Sequence, residues 1–438
     1  MTLAEYKEFV REEINQRRDE GAGVSAWAAD LEALGASEDE AEWGALYERL
    51  YAEPVSINDD REPSTLDAIR ALRLQAERSF PVDEAALPDR LLGAWHGRIA
   101  GCILGATVEG KPKTYVDRYL QAAGMADLDH FFPRLEEWPD GFDLGWLNSE
   151  RVQGTFHGRI NGAIRDDDID YTILGLHYLE RFGPGFTADD VAMSWQALLP
   201  YAEVFTAERV AYRNLVNGLC PPQTATHRNP YREWIGAQIR ADAFGYVNAG
   251  HPEAAAGFAF RDASVSHTKN GIYGEMWSAA MVAAAFSTDS PRIAIEAGLA
   301  EIPADSRLAQ AGRKLLAWSE EFPTWEGCWS RAREDYGNLH WVHTINNALW
   351  VMVGLLYGGK DFGKTISIAV RCGDDTDCNG ATAGSVIGAI LGAKAIPAQW
   401  VDPFQDKVRS CVFGFDGSRI SDLANRTLVQ YRRVKDAR

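Results

Sequence analysis

The stretch RCGDDTDCNGATAGSVIGAILG, residues 371–392, decides how this chain folds. It opens on Asp374, Asp375 and Asp377 and continues as a helical pattern carrying Gly380, Gly384, Gly388 and Gly392. Glycine at every fourth position strips one helix face of side chains, so that another backbone can lie directly against it. Each such glycine costs a helix roughly 1 kcal/mol against alanine, so a ridge of them implies a close partner. Neighbouring aspartates repel one another unless they are solvated, protonated or neutralised by a cation. Taken alone, the turn admits two readings: a solvated loop before a buried helix, or a metal site at a helix N-terminus.

A second ridge answers the first. Gly93, Gly97, Gly101 and Gly105 recur at the same spacing in LLGAWHGRIAGCILGATVEGKP, residues 91–112. Matched ridges predict two helices that pack their i±4 rows together. The ridge stops at Gly110-Lys111-Pro112, a helix-ending combination, which leaves Glu109 at the exit. A further acidic run, Asp166, Asp167 and Asp168 with Asp170 close behind, precedes an apolar helical pattern over 172–182. Helix capping and the helix dipole account for one or two of these aspartates, not for the whole run. Oxygen-only donors suit hard cations such as Mg²⁺ or Mn²⁺, and the runs lack the interleaved His and Cys of zinc sites. Brought together by the ridges, the clusters would hold two metals, able to orient a hydroxyl-bearing substrate and a water molecule.

The remainder of the chain sets the frame. Hydrophobic residues make up 46% of its 438 residues, enough for a sizeable core. A formal net charge of −19 argues against broad contact with a nucleic-acid backbone. The longest apolar run, 381–396, contains Lys394 and is too short to span a bilayer, so no membrane partner is expected. The N-terminus is charged throughout, without the apolar core of a signal peptide, and the 6 cysteines form no CxxC pair. The expected compartment is the cytoplasm.

Helical periodicity recurs at 3–18, 38–51, 65–77, 188–200, 205–217, 253–262, 275–287, 291–299, 305–320, 341–357 and 362–370. Alternating β-branched runs are nearly absent, so the fold class is all-α. The stretch 54–63 reads as a linker, and 121–158 as a long irregular segment rich in Gly, Pro, Trp and Phe, a kind often functional. The division expected is an N-terminal helical extension, 1–88, before one domain, 89–438. Asn346 and Asn347, in an apolar helix, either reach a cleft or pair with backbone. The aromatic residues of 325–357 read as core.

These motifs resemble the ADP-ribosylglycohydrolases, a family that includes dinitrogenase reductase-activating glycohydrolases and J1-crystallin relatives. The resemblance covers roughly 90–430. It rests on Val108-Glu109-Gly110-Lys111-Pro112, Asp166-Asp167-Asp168, Ala263-Ser264-Val265-Ser266-His267 and Gly373-Asp374-Asp375-Thr376-Asp377. It implies an orthogonal multi-helix bundle with a binuclear Mg²⁺ or Mn²⁺ centre in a cleft. It implies metal ligation by Asp167 and Asp168 and by Asp375 and Asp377, with Glu109 in catalysis. The implied reaction is hydrolysis of the N- or O-glycosidic bond at C1 of the ribose in an ADP-ribosyl group. Residues 235–240 occupy the place of the family's Asn-Gly-Ala-x-Met-Arg loop, whose backbone contacts the ribose and phosphates, with Ile235 where that loop has Asn. Gly236, Ala237, Gln238 and Arg240, with His267, are the expected substrate contacts. The chain departs from the pattern at Asp166 and Ile169, and at Cys378 where a hydroxyl ligand is common. A thiol suits a hard cation poorly. Asp166 and Cys378 nevertheless join the expected ligand set, and Asp168 joins Glu109 as an expected catalytic group. The substrate expected is an ADP-ribosylated protein. A small riboside cleaved by an N-ribohydrolase and a non-catalytic crystallin-like binder are the alternatives.

Overall fold

The computed structural model describes residues 1–53, 59–74, 76 and 79–438. The architecture is all-α. Strand pairing among the described residues is confined to two-residue ladders and isolated bridges. Part of the expected linker, 54–58, lies outside the described residues. So do residues 75 and 77 of the pattern at 65–77, of which Leu66–Ala71 is helical.

At the centre the ridge helices Leu87–Ala106 and Thr376–Leu391 lie backbone to backbone. A Cβ on Gly101 would sit 1.8 Å from the Gly380 carbonyl oxygen, and one on Gly97 would sit 1.9 Å from that of Gly384. Gly93 faces Gly388 and Gly105 faces Thr376 in the same way, so the predicted pairing is present along the full length of both ridges. Where the first helix ends and the second begins, a short antiparallel ladder joins Lys111–Pro112 to Gly373–Asp374. Gly110 N–H donates to the Asp374 carbonyl at 2.9 Å. Asp374 takes a left-handed conformation (φ 65°) to make this turn, which aspartate tolerates better than most residues. Glu109 is thereby tied close to the second acidic cluster.

Around this pair lie Asp167–Phe182, Lys269–Ala285, Thr344–Gly358 and Phe362–Arg371, all largely buried. Lys269–Ala285 begins six residues before its expected start at 275, because its first turns are also buried and show little amphipathic contrast. Ser25–Leu34, Lys113–Ala122, Trp325–Tyr336 and Ile420–Asp436 are further helices that periodicity did not single out. The N-terminal helices Leu3–Asp19 and Glu40–Ala52 share a small core of Val10, Ile14, Trp43 and Leu46, which also takes in Ala207 and Trp234 of the main body. Arg232 adds ion pairs to Glu13 (2.6 Å) and Glu20 (2.8 Å). The N-terminal segment is therefore docked on the body by both apolar burial and charge.

Candidate metal centre

Asp166 caps the helix Asp167–Phe182, its side chain accepting from Asp168 N–H at 3.1 Å. This cap turns Asp166 and Asp168 inward, both buried, and leaves Asp167 half-buried. Asp375 stands at the start of Thr376–Leu391, with Asp377 and Cys378 in its first turn. Glycine-ridge packing sets the two helix starts side by side. Ligand atoms of Asp166, Asp167 and Asp168 lie within 4.8 Å of one another, and so do those of Asp168, Asp377 and Cys378.

A buried cluster of this sign needs compensation. Burial first, and then neighbouring carboxylates, push Asp167, Asp375 and Asp377 above the usual aspartate range. Asp168 is raised by burial too, against the opposing pull of Arg98. Glu109 is raised by burial and by Asp377, with Arg151 working against both. Burial and the facing Asp168 likewise lift the Cys378 thiol, which donates to Asp168 Oδ2 at 3.2 Å.

Two arginines pair directly with carboxylates of both clusters, and Arg165, 2.6 Å from Asp170, also draws Asp167 down. Arg98, fully buried on the first ridge helix, pairs with Asp168 Oδ1 at 2.8 Å and Asp242 Oδ2 at 2.9 Å. Arg151 pairs with Glu109 Oε2 at 2.8 Å, with Asp377 Oδ2 at 3.0 Å and with Asp166 Oδ2. Neither arginine stands out in the sequence. A buried arginine beside a glycine ridge is the one trace Arg98 leaves, and Arg151 sits in the irregular 121–158 segment on a four-residue helix.

Asp374, adjacent to the cluster in sequence, is turned away from it. Its Oδ2 accepts from Arg333, Asn346 (3.1 Å) and Trp350 (2.9 Å). Asn346 and Asn347 thus do both things foreseen for them. Asn347 Nδ2 bonds backbone at Trp341 (2.7 Å), while its Oδ1 accepts from Asp375 N–H (3.3 Å) at the edge of the centre.

The residues expected to meet substrate are differently placed. Arg240 is buried, paired with Glu208 and Asp262 and bonded to Ser266 Oγ at 3.1 Å. His267 is buried beside it, with Nδ1 2.8 Å from Ser266 Oγ. Gly236 leaves its carbonyl to Arg240 at 3.2 Å, and Ala237 and Gln238 are fully buried. The side chains of this loop therefore hold the fold from within, and Arg240 has no orientation toward solvent. A cavity of about 720 Å³ lies elsewhere, between the N-terminal helices and the body, lined by mutually paired groups such as Glu13, Arg17 and Arg232.

The donor chemistry fits a cation. Asp377 Oδ1 is buried without a hydrogen-bond partner among the described residues. The Asp166–Asp168 trio is oxygen-only, as Mg²⁺ prefers, whereas Cys378 brings a softer donor that Mn²⁺ accepts more readily. Fold and site together define an all-helical protein with a split carboxylate centre between paired glycine-ridge helices. This chain belongs to the ADP-ribosylglycohydrolase family, whose model matches residues 83–438. Membership assigns it to the glycohydrolases as a class. A solved structure described as an "ADP-ribosylglycohydrolase-related protein complex" is similar to it at 21% identity, covering 80% of this chain and 99% of that one, with a TM-score of 0.48. No curated protein sequence matches the chain. No helix among the described residues is long and apolar enough to cross a membrane.

Proposed function

We propose that the protein is a metal-dependent hydrolase that cleaves the glycosidic bond at C1 of a ribose in an ADP-ribosyl conjugate. The observation that carries this reading is the convergence of Glu109, Asp166, Asp168 and Asp377 on one locus from three separate parts of the chain. Asp166, Asp167, Asp168, Asp375 and Asp377, with Cys378, are the residues that would hold Mg²⁺ or Mn²⁺. Such a cation supplies positive charge against the ribose hydroxyls and a nearby water.

The chain's own groups account for the remaining chemistry. As the C1 bond breaks, positive charge grows on the sugar ring, and the surrounding carboxylates, largely buried, stabilise it. Glu109, held by Arg151 at 2.8 Å, is placed to take the proton of the attacking water as general base. Asp168 is fixed by Arg98 on one oxygen and by Cys378 on the other, so it orients rather than swings.

A smaller N-riboside is the second reading, favoured by Asp166 and Ile235, where the chain departs from the family's pattern. Release of ADP-ribose from a modified peptide, with Mg²⁺ or Mn²⁺ and then with a chelator, tests the first. The expected result is turnover abolished by chelation and by Asp168→Ala or Asp375→Ala. Full activity of those variants in the presence of chelator would sink the metal-dependent reading. Calorimetry showing no heat with millimolar ADP-ribose and Mg²⁺, alongside cleavage of a simple nucleoside, would transfer the assignment to the second.

A further inference from the structure

Arg151 stands where the two acidic clusters meet. Its Nη2 donates to both Asp166 Oδ2 and Asp377 Oδ2, the latter at 3.0 Å, and its Nη1 lies 2.8 Å from Glu109 Oε2. One nitrogen therefore bridges the start of one acidic helix and the start of the other. A divalent ion bridging the same oxygens would need them at about 2.0–2.2 Å, a space the guanidinium already fills.

The arginine is held there. Ser149 caps its short helix by accepting from Val152 N–H at 3.4 Å. The Trp146 ring lies 5.6 Å from the guanidinium carbon, and Trp146 is itself tied to the Thr107 carbonyl at 3.1 Å. On the other side of the cluster, Asp168, Asp377 and Cys378 present ligand atoms within 4.8 Å of one another. There Asp377 Oδ1, on a residue 2% exposed, has no hydrogen-bond partner among the described residues.

We infer that Arg151 is a built-in counter-ion that takes the place of a second metal, so that the chain binds one divalent cation, at Asp168, Asp377 and Cys378. The inference rests on the metal-dependent reading above and narrows it to a mononuclear centre with one sulfur ligand. Arg151 is in this sense a positioning residue, keeping Glu109 and the two clusters in register without a bridging ion.

The test is Mn²⁺ stoichiometry on the full-length, chelator-stripped protein, by equilibrium dialysis with electron paramagnetic resonance of free Mn²⁺. The expected result is one Mn²⁺ per chain for the wild type and for Arg151→Lys, and two for Arg151→Met. Circular dichroism confirms folding of each variant. If Arg151→Met does not fold, the wild-type stoichiometry and that of Arg151→Gln decide. Loading with Co²⁺ should add a near-ultraviolet thiolate-to-metal band that Cys378→Ser removes.

Two Mn²⁺ in the wild type, or one in both the wild type and Arg151→Met, would overturn the role of Arg151 and leave the metal-dependent reading standing. A bound Co²⁺ without the thiolate band would overturn the assignment of the ion to Cys378. No binding by the wild type and by Arg151→Met at millimolar Mn²⁺ would overturn both the inference and the reading beneath it.

Discussion

Replacing Gly101 with alanine perturbs the packing on which the site depends. In an exposed helix this change stabilises by about 1 kcal/mol, because alanine restricts the unfolded chain and favours the helix. At Gly101 the new Cβ would fall 1.8 Å from the Gly380 carbonyl oxygen and 2.3 Å from its carbon. Both are backbone atoms on a buried helix and have no rotamer through which to escape. The helices must separate by about 1.6 Å to restore an ordinary contact of 3.4 Å, and overpacking of this kind costs about 1–3 kcal/mol or more. Setting the propensity gain against the upper part of that range leaves a net loss of about 2 kcal/mol. The acidic clusters hang from the same two helices, so cation affinity should fall along with stability. Gly44→Ala is the control. It lies mid-helix in Glu40–Ala52, where the nearest atoms to a Cβ belong to the Tyr6 side chain, the first at 3.6 Å. Urea denaturation of the two variants should give shifts of opposite sign. A gain in stability for Gly101→Ala comparable to that of Gly44→Ala would refute the close-packing argument.

Further outcomes follow from the buried charges. Arg98→Met removes the partner of both Asp168 and Asp242 and should cost about 3–5 kcal/mol, the usual result of stranding a buried charge. A loss below about 1 kcal/mol in denaturant titration would contradict it. His343 caps Thr344–Gly358 through Nδ1, which accepts from Ile345 N–H at 3.1 Å, and burial holds its pKa down at about 4. The unfolded chain, with an ordinary histidine near pH 6.5, takes up a proton that the folded one refuses. Stability should therefore fall by about 3 kcal/mol as pH drops from 6.5 toward 4 and then level off. His343→Asn, which keeps a capping oxygen, should flatten that part of the stability profile, and identical profiles for the two proteins would exclude His343 as the cause. Cys378→Ser should shift metal preference from Mn²⁺ toward Mg²⁺, as seen in the ratio of the two dissociation constants.

The glycine ridges and acidic runs were legible because their information is local. A four-residue repeat lies on one helix face whatever the surroundings, and Gly101 against Gly380 is an instance of the close packing it predicts. Consecutive aspartates at a helix start declare a need for positive charge just as plainly. The source of that charge was not legible. Arg98 lies 70 residues from Asp168, and Arg151 lies 15 residues from Asp166 and 226 from Asp377, and no periodicity connects them. The loop at 235–240 is a different case. Its place in the family pattern drew attention to Arg240, but the fold spends that side chain on Glu208 and Asp262. Similarly Asp374 looks like one more member of the acidic run, yet its left-handed backbone turns it into the wall against Trp350.

By itself, then, the amino-acid order determined an all-helical fold, a backbone-close helix pair and carboxylates gathered at the helix starts. Those features follow from helical period and from charge repulsion, which act over a few residues. The tertiary structure alone decided which cation meets which carboxylate, which aspartate turns away, and that the N-terminal helices dock through Arg232. Such pairings depend on distances of a few ångströms between segments far apart in the chain, and only the assembled packing sets them.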